Sequence, residues 1–116
     1  MIPRELLKGS LKSIVLKLLA ENGRMYGYEI TQKIEQLSNG KIKLTYGALY
    51  PVLHKLETDG EVTTESENVN NRIRIYYALT KKGDSLASKR IEELEEFIET
   101  IGLILSPKPS LGMNAC

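Results

Sequence analysis

The chain has 116 residues, 41% hydrophobic and 27% charged, with a formal net charge of +1, which leaves room for one soluble globular domain and not for a second. Its single cysteine, Cys116, excludes an internal disulfide framework and suits a reducing cytoplasm. The near-neutral total does not announce a nucleic-acid binder, yet the charge is uneven: residues 1–44 carry eight basic and four acidic side chains, 45–79 three and five, and 80–116 five and six.

Leu7, Leu11, Ile14, Val15, Leu18 and Leu19 fall at helical spacing and predict an amphipathic first helix that stops near Asn22-Gly23. Lys8, Lys12 and Lys17 cut this run, so it is neither a signal-peptide core nor a membrane span. Tyr28, Ile30, Ile34 and Leu37 mark a second, shorter helix ending at Ser38-Asn39-Gly40, with Tyr26 and Tyr28 expected to pack it against the first. A third helix is expected almost at once, capped by Thr45 and closed by Asp59-Gly60, with Leu49, Val52, Leu53 and Leu56 inward. It contains two helix breakers. Pro51 crowds the carbonyl four residues earlier, that of Gly47, the residue best able to shift its backbone, so the pair predicts a local bend with Tyr46 and Tyr50 outside.

"VTTES", a turn-rich "ENVNN" and the alternating "RIRIYYAL" read as a hairpin. Ile73, Ile75, Tyr77 and Leu79 share the face expected to be core, and Arg72, Arg74, Tyr76 and Ala78 the exposed one. Thr80 can cap a long final helix to about Leu105. Along it Ala87, Ile91, Leu94, Ile98, Ile101 and Leu105 recur at steps of four and three, the seam of a packed helix pair, widened by Phe97 and Ile104. A domain this small has little core left to cover that seam, so a second copy of the chain is expected to do so. Residues 106–116 read as a flexible tail.

Three helices followed by a hairpin give the expected fold class: mainly α with a small β-hairpin wing, a winged helix-turn-helix over residues 1–80 with a long dimerisation helix over 81–105. In that order the third helix can enter the major groove of double-stranded DNA while the hairpin reaches backbone or minor groove. The candidate DNA-binding residues are Thr45, Tyr46, Tyr50, His54 and Lys55 on the helix, and Arg72, Arg74 and Tyr76 on the wing. An outward face suited to DNA explains why this helix tolerates two breakers. No catalytic residues are assigned, because no nucleophile with a base, no paired carboxylates and no phosphate-cradling loop has recognisable spacing. His54, the only histidine, has no Cys or His neighbour for a metal site, and no cofactor is expected.

The stretches "LLKGSLKSIVLKLLAENGRMYGYEI" (Leu6 to Ile30), "GALYPVLHKLETDGEV" (Gly47 to Val62) and "RIRIYYALTKKG" (Arg72 to Gly83) together resemble the PadR family of bacterial winged-helix transcriptional regulators. The final helix is similar in length and role to the short-helix branch of that family. The resemblance implies a homodimer in which the final helix packs on the partner and the first helix contributes. That makes Leu7, Leu11, Ala87, Ile91, Leu94, Phe97, Ile98, Ile101 and Leu105 the candidate dimerisation residues. It also implies a cytoplasmic, non-enzymatic role, mostly as a repressor relieved by a small-molecule effector, unknown here. The alternative is a winged-helix protein-interaction module that does not bind DNA, which the acidic excess of residues 45–79 favours.

Overall fold

The computed structural model describes residues 1–107; Cys116 and the expected tail beyond Pro107 lie outside the described residues. Five helices and three strands follow in chain order: α1 Arg4–Leu7, α2 Leu11–Asn22, β1 Met25–Tyr26, α3 Gly27–Leu37, α4 Tyr46–Thr58, β2 Val62–Val69, β3 Arg72–Leu79 and α5 Lys81–Leu105. The expected first helix is thus two. The Ser10 N–H and hydroxyl both donate to the Leu7 carbonyl, at 2.8 and 3.0 Å, which ends α1 and restarts the chain as α2. Leu7 and Leu11 on either side of the break are both buried.

Val15, Leu16, Leu18 and Leu19 of α2 meet Ile30 and Ile34 of α3 and Leu49, Leu53 and Leu56 of α4 in one core, closed by Met25, Val62, Tyr77 and Ala87. The α3–α4 connection is longer than a tight turn, running over residues 38–45, because Ile42 and Leu44 tuck against that core before Thr45 accepts the Ala48 N–H and starts α4. The helix then runs unbroken through Pro51. Neither Tyr26 nor Tyr28 packs α3 against α2 as expected: Tyr28 points to solvent, and Tyr26 is in β1, its ring against Tyr76 of β3.

The sheet has three strands in the order β1-β3-β2, all antiparallel. β1 was not visible in the sequence: Met25 and Tyr26 are recruited by pairing with Tyr77 and Tyr76. The turn is shorter than expected, only Asn70-Asn71, both left-handed (φ 53° and 63°), the geometry a two-residue hairpin turn needs. Ladder pairing therefore continues out to Val69↔Arg72 and takes Glu67, Asn68 and Val69 into β2. A second correction concerns the strand faces. The alternation has the expected phase, but Ile73 is 73% exposed and Ile75 also faces solvent, because the outer half of the hairpin projects beyond the helices and nothing lies beneath it.

The long helix is joined to the body at the corner between α4 and β2. Glu61 is 2% exposed, and its two carboxylate oxygens accept from the Arg90 guanidinium of α5 at 2.5 and 3.0 Å. Thr80 accepts the Gly83 N–H as N-cap, donates its hydroxyl to the Gly60 carbonyl at 2.6 Å and its N–H to the Glu61 carbonyl at 3.1 Å. Gly83 must lack a side chain, since a Cβ there would lie 1.9 Å from the Glu61 carbonyl oxygen. Replacing Arg90 by Met leaves a buried carboxylate without a counter-charge and should cost about 3 kcal/mol in urea denaturation, whereas replacing both Glu61 and Arg90 by Met should recover most of that loss.

Candidate nucleic-acid interface

The outer face of α4 carries an aromatic row. Tyr46 and Tyr50 have ring centroids 5.8 Å apart, and Tyr50 stacks on His54 at 5.8 Å with 22° between the planes. The inner face is fully committed, Leu49, Leu53 and Leu56 having no exposed surface, so the row can only point outward. Tyr46 is the inner member. Its hydroxyl meets that of Tyr77 at 3.1 Å, and its ring lies over Gly27, where a Cβ would come within 2.1 Å of it. Burial, then the Tyr46 hydroxyl, raises the pKa of Tyr77 well above the ordinary phenol range, which keeps Tyr77 neutral. Tyr46 is therefore part anchor, while Tyr50 and His54 are left to meet a partner.

Thr45 uses its hydroxyl oxygen to cap α4, and its own proton remains free to donate. Lys55 is exposed, but its ammonium lies 3.1 Å from Asp59, which Lys12 also approaches at 3.6 Å. Hydrogen bonding from Lys55 is the main cause holding the Asp59 carboxyl below the usual carboxylate range. The charge of Lys55 is thus partly spent within the helix.

The exposed face of the sheet carries a second row. Tyr26 meets Tyr76 edge-on at 5.5 Å; the Arg74 guanidinium lies 4.4 Å over the Tyr26 ring, and that of Arg24 4.1 Å over Tyr76. Arg24 also bridges Glu65 and Glu67 of β2, the latter at 2.7 Å. Hydrogen bonds to Glu67 and then Glu65 raise the Arg24 pKa further, and one to Tyr76 does most to raise that of Arg74. Arg72 stands exposed beside the hairpin turn. The two rows lie on either side of the β1 edge: Tyr46 covers Gly27 and meets Tyr77 of the inward face, whereas Tyr26 and Tyr76 stand on the outward face.

The remaining sequence candidates divide between the core and the surface. Leu7, Leu11 and Ala87 are buried within this chain, and Ile91 packs against its core, so their surface is already used. Leu94 and Ile101 are half-buried, while Phe97 (59%), Ile98 (60%) and Leu105 are exposed along the outer half of α5. Arg24, Tyr26 and Gly27 were missed as contributors to the interface. Their partners on β2, β3 and α4 are distant in sequence, so no local pattern marks them. Among the described residues no helix is long and apolar enough to cross a membrane.

An outward helix beside a two-stranded arm, carried on a three-helix core, defines a winged helix-turn-helix protein. The chain belongs to the transcriptional regulator PadR-like family, whose model matches residues 15–89. It is 31% identical to the transcriptional regulator Rv3488 of Mycobacterium tuberculosis over 98 residues, covering 84% of this chain and 88% of that one. Among solved structures it is similar to a transcriptional regulator from Clostridium thermocellum, with a TM-score of 0.78, 26% identity and coverage of 88% and 99% of the two chains. It is also similar to Bacillus subtilis PadR, solved in complex with operator DNA, with a TM-score of 0.62, 25% identity and coverage of 71% of this chain and 46% of that one. The family and these relatives are transcriptional regulators rather than enzymes.

The dependence of α4 on Gly27 can be measured. Gly27→Ala drives a methyl into the Tyr46 ring and should destabilise the fold by about 1 to 3 kcal/mol in thermal or urea denaturation. In the Tyr46→Ala background the same change should cost much less, and a double-mutant cycle reads the difference.

Proposed function

We propose that this protein is a DNA-binding repressor that acts as a homodimer on an imperfect palindrome. The observation that carries the reading is the pair of outward rows: the Tyr50–His54 face of α4, whose opposite face is committed to the core, and the outward sheet face that bears Arg74. The first offers hydrogen-bonding and apolar groups suited to base edges and thymine methyls, and the second offers guanidinium groups suited to phosphate. In this reading residues 1–80 are the DNA-binding domain, with Thr45, Tyr46, Tyr50, His54 and Lys55 from α4 and Arg72, Arg74 and Tyr76 from the wing. The likeness to a relative solved on operator DNA supports it.

Residues 81–105 form the dimerisation helix. Its inner half is held to α2 and the α4–β2 corner, and its outer half leaves Phe97, Ile98, Ile104 and Leu105 exposed on one face. That is more contiguous apolar surface than a solitary chain keeps in water, and a two-fold pairing of the helices removes it. Leu94, Ile98, Ile101 and Leu105 provide the seam and Phe97 its flank, and Ala87 and Ile91 continue it into the core of this chain; Leu7 and Leu11 lie instead beside Leu44, Ala48 and Val52, on the α4 side of the body.

Two measurements test the DNA surface. Arg72→Ala, if Arg72 neutralises a phosphate, should weaken binding to operator and scrambled duplexes alike and flatten the salt slope by ~1 per contact. Tyr50→Ala, if Tyr50 meets a base edge, should cost about 1 to 3 kcal/mol on the operator alone and leave the slope nearly intact. Binding isotherms at several salt concentrations separate the two. Failure of both variants to change a specific binding seen with the wild type would put α4 and the wing elsewhere.

The dimer has its own test. Ile98→Glu buries a charge without a partner and should shift sedimentation toward the monomer by about 3 to 5 kcal/mol of association energy. A wild-type protein that sediments as a monomer throughout a dilution series contradicts the dimer.

A further inference from the structure

The wing presents a problem of charge. In the β2–β3 ladder Glu67 is the direct neighbour of Arg74, and Glu65 that of Tyr76, all on the exposed face of the sheet. A carboxylate opposite an arginine at that spacing ordinarily takes it as a partner, and a guanidinium held by Glu67 would have nothing to offer a phosphate. Arg74 is not so held. It lies over Tyr26, on the β1 side of its strand, while both carboxylates turn to Arg24. Arg24 is placed to do this by β1, whose pairing with β3 brings the chain across the sheet, and by the Tyr76 ring on which its guanidinium rests.

We propose that Arg24 is a positioning residue for DNA contact: by occupying Glu65 and Glu67 it keeps both carboxylates off Arg74 and leaves that charge for phosphate. This rests on the DNA-binding reading and adds to it a residue 50 positions from Arg74 whose own role is not contact with DNA. The charge of Arg24 is consumed inside the protein, and what it delivers is the charge of another side chain. The fork of an arginine suits the task, because its two terminal nitrogens reach two carboxylates on alternate residues of one strand while its plane stacks on a ring.

The experiment uses the full chain and a short mixed-sequence duplex, since a phosphate contact does not need the operator. Arg24→Ala should release Glu67 to Arg74, lower affinity about tenfold per wing at ~0.1 M salt and flatten the salt slope by ~1 per wing, the share of one phosphate contact. The triple variant R24A/E65Q/E67Q lacks Arg24 as well but has neither β2 carboxylate to capture Arg74, leaving only Glu29 of α3, already tied to the Tyr26 N–H, as in the wild type; it should regain wild-type affinity and slope. The melting temperature of each variant should stay near that of the wild type, because the ion pairs involved are exposed. If the triple variant remains as weak as Arg24→Ala, with the slope still flattened, Arg24 itself touches DNA and the proposal is overturned while the DNA-binding reading stands. If wild-type protein shows no binding to duplex even at low salt, both fall together.

Discussion

Glu61 is taken out of water at the corner between α4 and β2, where a carboxylate is tolerable only if its charge and both its oxygens are met. Arg90 meets them from the third turn of α5 and so fixes one point of the long helix to the body; the helix also packs on α2. The same corner collects the Thr80 hydroxyl on Gly60, the Thr80 N–H on Glu61 and the close approach of Gly83. Lys82 adds its ammonium to the Asp59 carbonyl at 2.8 Å. A buried ion pair adds little to net stability compared with a well-packed apolar substitute, although breaking it leaves a buried charge unmet. The end of the outward helix, the start of the wing and the start of the long helix are tied to one point.

From that point the two rows of side chains follow. The α4 row is a consequence of helix periodicity once its opposite face is committed to the core, and Gly27 decides how closely its first tyrosine approaches α3. The sheet row depends on β1, only two residues long. Without it Tyr26 would not stand beside Tyr76, and Arg24 would not reach Glu65 and Glu67. A segment too short to be stable as a strand alone thus arranges the charges of the wing, because β3 supplies its hydrogen-bonding partners.

The hairpin shows where alternation stops being informative. Tyr77 and Leu79 behave as the inward face because α2, α3 and α5 pack against that part of β3, and Ile73 and Ile75, in the same phase, do not, because the strand has outrun the helices. Period two tells which residues share a face; it does not tell how far the core extends below it. In α5 the heptad spacing likewise ran on without change while its environment changed, from Ala87 inside the core to Ile98 in solvent. The break after Leu7 is the converse case, in which apolar spacing continued smoothly across a real interruption made by two hydrogen bonds to one carbonyl.

Periodicity, caps and turn residues by themselves determined the order of the main helices and the hairpin, the Thr45 and Thr80 caps, the inward leucines of α4 and its outward tyrosines. These are local: each depends on residues within a turn or two, so a linear reading contains the interacting partners. Only the tertiary structure decided that Glu61 is buried, that Arg90 rather than water meets it, that Gly27 lies under Tyr46, and that Arg24 holds two carboxylates 41 and 43 residues away. Charge pairing and close approach act through space over a few ångströms, and the chain brings such partners together only by folding.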